Sequence, residues 1–294
     1  MDEMTAALKF FENKAEQKVF TIRPIDEMEH EHGIYLVNST YIVRIYRPRA
    51  GDPFYPGQRG EGHFVFHDYL TKRPYPFPPL FVYDRRGNKI ELYYGPVHPR
   101  FAEGGFEKTK SEAFRVLGSI LAMQGISISD RKSDLIERFY KYKKISGEAL
   151  PEGFERSIVD ATAKLIDTEE PVFAHRHLHI SNILIVEDTA QFVDLRFCGA
   201  SSPLLDIASL CEENEFDTSL SRACLVRFND LRNGKRAYTF EDLTALILFL
   251  DAFWFYWGMA MNRYSKMPRL AETALKRKRH FLLAFEAYCM EGHL

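Results

Sequence analysis

The segment His175–Gly199, HRHLHISNILIVEDTAQFVDLRFCG, concentrates side chains that could do chemistry. His175, His177 and His179 alternate at its start, Asn182 follows, and a lone aspartate, Asp194, closes an apolar run. Three readings are open. On a strand, period-2 spacing would put the three imidazoles on one face, and three imidazoles can hold zinc. Alternatively, Asn182 opens the run NILIV and Asp194 ends QFVD. A hairpin turning at Glu187-Asp188-Thr189 would then bring an amide oxygen and a carboxylate together. Such hard ligands suit Mg²⁺, which carries substrate phosphates in its shell. In phosphoryl transfer the protein contributes mainly positioning and charge neutralisation. The third reading is ordinary structure, with histidines as hydrogen-bonded loop residues.

The elements that must position these residues are legible from periodicity. IYLVNSTYIVRIYR gives two β-type runs split by Asn-Ser-Thr, a hairpin pattern. LFVYDRRGNKIELYYG repeats it, with Gly87-Asn88 in the turn. RPRAGDPFYPGQRGEG reads as a Pro/Gly loop. From about Pro96 the period changes. SEAFRVLGSILAMQGI has helical spacing with Ser111 as the expected N-cap, and RKSDLIERFYKYKKI and FERSIVDATAKLIDTEE continue the helical pattern. Three short strand-like pieces (VFAH, NILIV, QFVDL) follow. After Asp206 the chain reads as helix to its end. A sheet-rich part, residues 1–95, thus precedes a larger helical part, residues 96–294, with a hinge near Tyr93–Pro96.

Composition bounds the function classes. The chain has 294 residues, 46% hydrophobic and 27% charged, and a formal net charge of -2. That is the range of a globular protein with a sizeable core. A near-neutral balance argues against nucleic-acid binding through a basic field. The start, MDEMTAALKFFENK, lacks the basic n-region and apolar run of a signal peptide, and the four cysteines form no C-x-x-C, so the expectation is reduced thiols in a cytoplasmic protein. The stretch ALILFLDAFWFYWGMAM is nearly long enough to span a bilayer. Asp251 inside it and the mid-segment position of its aromatics favour a buried helix and no stable membrane insertion. Lys276–His280, KRKRH, reads as a solvated basic face.

Taken together, these blocks resemble the choline/ethanolamine kinase and aminoglycoside phosphotransferase branch of the protein-kinase-like superfamily. That branch carries H-x-D-x-x-x-x-N followed by an apolar strand ending in Asp. Here the residues are His175 to Asn182, then Val193-Asp194. The branch's D-I-x-x-x-x-x-E block is similar to Asp206-Ile207 through Glu213. Its W-x-x-W helix is similar to Trp254-Phe255-Tyr256-Trp257. The resemblance is densest over residues 172–257. It implies an α+β, protein-kinase-like two-lobed fold, with a small β-rich N-lobe for nucleotide and a larger, mainly helical C-lobe for catalysis and substrate.

The resemblance also implies roles. Asn182 and Asp194 would hold Mg²⁺ and the phosphates of ATP, and His175 would support the catalytic loop. Asp206 would accept hydrogen bonds from that loop's backbone. Trp254 and Trp257 would line a substrate site for choline or ethanolamine, because tryptophan faces attract ammonium groups, and Glu212 would add charge. YIVRIY resembles the family's phosphate-side strand, making Arg44 the cation and Glu61 its partner. Gly33, in Glu29-His30-Glu31-His32-Gly33, stands where a phosphate-covering turn is expected, and Tyr94, in ELYYG, where a hinge would meet adenine. One departure is chemical. The family's catalytic aspartate position holds His177, a neutral base of suitable pKa that lacks the carboxylate's charge. An amino-alcohol kinase, a pseudokinase that keeps the fold as a binding module, and a histidine-ligated metal hydrolase are therefore the competing functions. A homodimer is compatible with the first two.

Overall fold

The computed structural model of the chain describes residues 5, 8–9, 11–12, 18–24, 32–38, 41–46, 80–85, 88–93, 109–127, 133–168, 170–186, 189–192, 197–265 and 268–290. The chain divides into two compact units, one of residues 1–107 with 180–196, the other of residues 108–179 with 197–294.

The first unit carries an antiparallel five-stranded sheet. Its strands are β1 (Ile22–Pro24), β2 (His32–Val37), β3 (Tyr41–Tyr46), β4 (Leu80–Arg85) and β5 (Asn88–Tyr93), in the order β1-β2-β3-β5-β4. Both expected hairpins are present. Val37 lies opposite Tyr41 across the first turn and Arg85 opposite Asn88 across the second. Asn38 opens the first turn with φ 51°, a left-handed conformation that asparagine tolerates better than most residues. Its side-chain oxygen accepts from the Phe20 and Thr21 amides at 2.8 and 3.2 Å, which ties β1 to the turn. A separate hairpin in this unit pairs β7 (Ile183–Val186) with β8 (Thr189–Phe192), Val186 opposite Thr189.

The second unit is helical. Its helices are α1 (Lys110–Gln124), α2 (Leu135–Ser146), α3 (Glu152–Asp167), α4 (Leu205–Glu213), α5 (Thr218–Leu231), α6 (Phe240–Ser265) and α7 (Pro268–Met290), and strands β6 (Val172–Ala174) and β9 (Gly199–Ser201) form a small ribbon. The N-cap of α1 is Thr109, whose side chain accepts from the Glu112 amide, so the helix starts earlier than Ser111 would have set it. The sequence Thr-Lys-Ser-Glu is a capping-box pattern that outranks an isolated serine. A reciprocal box starts α6: Asp242 N–H donates to Thr239 Oγ1 at 3.1 Å and Thr239 N–H to Asp242 Oδ2 at 2.9 Å.

Helix α6 is the core of this unit, and 78% of its most apolar window is buried. A helix apolar on every side must find neighbours on every side. Phe249 stacks on Phe139 of α2 at 5.2 Å, Phe253 meets Tyr142 edge-on at 5.3 Å, and the Tyr256 hydroxyl donates to Glu155 of α3 at 2.6 Å. On the α7 side Gly258 permits close approach. A Cβ there would lie 2.9 Å from the Ala274 Cβ and 3.1 Å from the Leu270 carbonyl oxygen.

The polar group inside α6, Asp251, meets its counter-charges across the same interface. His280 Nδ1 lies 2.6 Å from Asp251 Oδ2, Arg277 lies 3.8 Å from Oδ1, and Arg277 also binds Glu212 of α4. The basic run of α7 is therefore split. Arg277 turns inward and His280, half-exposed itself, reaches back to the buried Asp251, while Lys276 pairs with Glu215 at the surface. Sequence spacing could not separate these faces, because a run of five like residues covers the whole helix circumference.

Gly258→Ala is expected to lower stability by about 1–3 kcal/mol through overpacking at the α6–α7 crossing, with partial recovery in Gly258→Ala combined with Ala274→Gly; urea denaturation measures both. The hydrogen bond to Asp251, against the opposing effect of burial, raises the His280 pKa above its ordinary 6.5. Its contribution to stability is thus complete below 6.5 and is lost as pH rises through the higher folded value. The melting-temperature advantage of the wild type over His280→Gln should shrink over that rise, in thermal scans at stepped pH.

Candidate active site

One face of α4 builds the site. Asp206, Ser209 and Glu213 are three and four residues apart and share that face, and the helix is buried along its whole length. Asp206 accepts the amides of His175 at 3.2 Å and Arg176 at 2.9 Å. Ser209 Oγ accepts the Leu178 amide at 2.8 Å, and Asn214, just past the helix end, donates to the Leu178 carbonyl at 2.8 Å. Burial pushes the Asp206 carboxyl up to about 6, against the two amides that pull it down.

The loop cannot continue β6 as a strand. Arg176 has φ 67°, which ends the period-2 alternation that would have set three imidazoles on one face. Its guanidinium is buried, pairs with Asp134 at 2.5 Å and also donates to the Ala200 carbonyl. Gly199 leaves the room: a Cβ there would stand 2.7 Å from the guanidinium. Among the described residues no group of three histidine, cysteine, aspartate or glutamate side chains is placed to hold a metal ion.

Anchored in this way, His177 meets an acid and an aromatic cluster. Its Nδ1 lies 2.6 Å from Glu213 Oε2, and the other oxygen of Glu213 accepts from Ser209 Oγ at 2.5 Å. Burial would raise the Glu213 carboxyl, but the charge and hydrogen bond of His177, the Ser209 hydroxyl and the charge of His179 together hold it below its ordinary value. On its other side the His177 ring lies 4.7 Å from Trp254 and 5.3 Å from Phe197. Trp254 meets Trp257 edge-on at 5.6 Å, and Phe197 meets Trp254 at 5.0 Å. The indole N–H groups of both tryptophans are buried with no hydrogen-bond acceptor among the described residues. Tyr256, between them in sequence, points away and belongs to the α2–α3 packing.

The structure thus brings His177, Trp254 and Trp257 together in the helical unit. Glu212 is in the same unit but on another face of α4. Its side chain is buried against Arg277, and burial together with Asp251 pushes its carboxyl up against the pull of Arg277. The acid that reaches His177 is Glu213, one residue on. A helix turns about 100° per residue, so adjacent acids cannot share a face. Phe197, which the sequence did not single out, completes the aromatic cluster; nothing in its local pattern marks it. The spacing of Asp206, Ser209 and Glu213 is the signal that could have found the acid.

Asn182, Arg44 and Gly33 belong to the sheet-bearing unit. Asn182 is buried, ends a single 3₁₀ turn (Ile180–Asn182) and enters β7 at the open end of the hairpin, where Ile183 lies opposite Phe192. Arg44 sits in β3 at the register position opposite Ile34 and Glu91. Gly33 lies within β2, opposite Ile45, and so belongs to the strand and not to a turn ahead of it. Asp194, Glu61 and Tyr94 lie outside the described residues.

No family model and no curated protein matches the chain. Solved structures do. The choline kinase LicA from Streptococcus pneumoniae superposes with a TM-score of 0.69 at 14% identity, covering 95% of this chain and 99% of that one. The ethanolamine kinase from Plasmodium vivax gives 0.64 at 14% identity, covering 89% and 81%. The aminoglycoside phosphotransferase APH(2'')-Ib gives 0.56 at 13% identity, covering 97% and 98%. The chain therefore has the α+β, protein-kinase-like fold of these proteins.

The anchoring of the loop to α4 has a measurable consequence. Asp206→Ala orphans two buried amides, at about 1–3 kcal/mol each, less the burial cost of the carboxylate it removes. A net loss of about 2 kcal/mol is expected in urea denaturation. A variant as stable as the wild type would mean that Asp206 does not hold the loop.

Proposed function

We propose that the chain is a Mg·ATP-dependent phosphotransferase that phosphorylates the hydroxyl of choline or ethanolamine, a supply step for phospholipid synthesis in a reducing, cytoplasmic setting. The observation that carries this reading is the placement of His177 against Trp254, with Trp257 and Phe197 behind it. It sets aromatic faces that favour an ammonium group next to a proton acceptor, which is what an amino alcohol needs at its two ends.

In this reading Trp254 and Trp257 take the ammonium group by cation–π contact, worth about 0.5–2 kcal/mol each. A substrate oxygen would satisfy one of their buried indole N–H donors. His177 holds the hydroxyl and accepts its proton as the oxygen bonds to the γ-phosphorus and the bond to the β-phosphate breaks. The fold supports a nucleotide partner, since the LicA structure has also been solved with AMP. Asn182 with Asp194 would hold Mg²⁺, which when bound draws charge from the transferring phosphoryl group. Arg44 with Glu61 would orient the phosphates, and Gly33 and Tyr94 would stand at the nucleotide. A second reading, a catalytically silent binding module, is favoured by one observation: the imidazole of His177 carries no negative charge of its own, and the Glu213 carboxylate behind it is engaged by Nδ1 and by the Ser209 hydroxyl, so the cluster attracts a cation less than a bare carboxylate would.

The test is phosphorylation of choline, ethanolamine and a panel of amino alcohols and aminoglycosides, with phosphomonoester formation followed by ³¹P NMR and nucleotide binding by thermal shift. Product from choline or ethanolamine is expected. His177→Ala should lower kcat about 10²–10⁴-fold, and Trp257→Ala should raise KM roughly 2–30-fold. A Mg·ATP shift without product, with turnover appearing in His177→Asp, would establish the silent module instead. Neither shift nor product would overturn both.

A further inference from the structure

Glu213 is buried and gives each carboxylate oxygen a distinct partner: Oε2 faces His177 Nδ1 at 2.6 Å and Oε1 accepts the Ser209 hydroxyl at 2.5 Å. Ser209 is itself fixed by the Leu178 amide, the residue after His177. The carboxylate therefore cannot rotate without breaking its bond to the hydroxyl. It can only accept at Oε2, so the hydrogen between the two groups sits on Nδ1. Which imidazole nitrogen carries the proton is set by the bond the other makes, and a catalytic base is commonly oriented by a third group in this manner.

We propose that Glu213, buttressed by Ser209, is the positioning residue of the site: it holds His177 in the Nδ1–H tautomer, which makes Nε2 the basic nitrogen of the ring and the atom that takes the substrate hydroxyl's proton. The inference rests on the phosphotransfer reading for its catalytic consequence, but not for the tautomer itself. It also accounts for how an imidazole can occupy this position. An aspartate there would be a base in either orientation. A histidine is a base at one nitrogen only, and an acid must choose which. During transfer the hydroxyl proton goes to Nε2, and the imidazolium so formed is stabilised by the Glu213 carboxylate across Nδ1–H. It returns the proton to solvent after product leaves, so no other reactant is consumed.

Glutamine at 213 is a sharp probe. Its carbonyl oxygen would keep the Ser209 hydroxyl bond, which places the amide NH₂ against Nδ1. An NH₂ demands an acceptor, so the imidazole should switch to the Nε2–H tautomer and lose its base. In a hydrolase triad the same carboxylate-to-amide change costs about 10⁴-fold in kcat by selecting the wrong tautomer.

The experiment is ¹⁵N-histidine NMR of the whole chain, with the His177 ring assigned by its absence in His177→Gln, alongside steady-state kinetics. The expected results are an Nδ1–H tautomer in the wild type and an Nε2–H tautomer in Glu213→Gln. The variant's kcat should fall by about 10²–10⁴-fold with KM little changed, and Glu213→Asp should keep the wild-type tautomer and part of the rate. An Nε2–H tautomer in the wild type, or an unchanged tautomer and kcat in a folded Glu213→Gln, overturns the proposal. If Glu213→Gln does not fold, the wild-type tautomer and Ser209→Ala, which frees the carboxylate to rotate, decide it. Absence of phosphorylated product from the wild type would sink the phosphotransfer reading alone, because the tautomer is read without turnover.

Discussion

The site depends on a single helix face, that of α4. Asp206, Ser209 and Glu213 line it at helical spacing, and each has its partner in the loop that follows β6. A loop with a left-handed residue at Arg176 cannot satisfy its amides by continuing a strand or starting a helix. The side chains of a rigid, buried helix supply the acceptors instead. The placement of His177 is thus inherited from α4, and α4 is held in turn by α6.

The same logic governs the charges. The second unit buries Asp206, Glu212, Glu213 and Asp251, and each is met by a donor: backbone amides, Arg277, His177 with Ser209, and His280. Burying a carboxylate without such a partner would cost several kcal/mol. Two adjacent acids, Glu212 and Glu213, divide between a structural pair on one side of α4 and the candidate site on the other. Helix α6 likewise carries both programmes: Tyr256 and Asp251 secure neighbouring helices, while Trp254 meets the histidine and Trp257 packs on Trp254.

Much of the fold was legible. The two N-terminal hairpins, the hairpin between Ile183 and Phe192 and the helices of the second unit follow from period-2 and period-3.6 patterns and turn residues. The kinase-like architecture was legible from the combination of the histidine–asparagine segment, the Asp206–Glu213 block and the paired tryptophans. Three readings needed the structure. The period-2 histidines suggested a strand face, but alternation says nothing of a residue at positive φ. Ser111 was expected as the cap because it directly precedes the apolar pattern, whereas Thr109 is the cap and accepts the Glu112 amide. The basic run of α7 was expected to be solvated, and two of its five residues, Arg277 and His280, answer buried acids.

What the sequence determined by itself is local: which segments are strands, which are helices, and where the turns between them fall. Those properties depend on residue type and on spacing within one element, and periodicity encodes both. Tertiary structure alone decided that Glu213 and not Glu212 meets the histidine, that Phe197 joins the tryptophans, and that Arg277 and His280 neutralise the interior. Each of these pairs residues from different elements. Which of two neighbouring side chains meets a distant partner depends on the rotation and packing of whole helices, and no pattern within one segment carries that information.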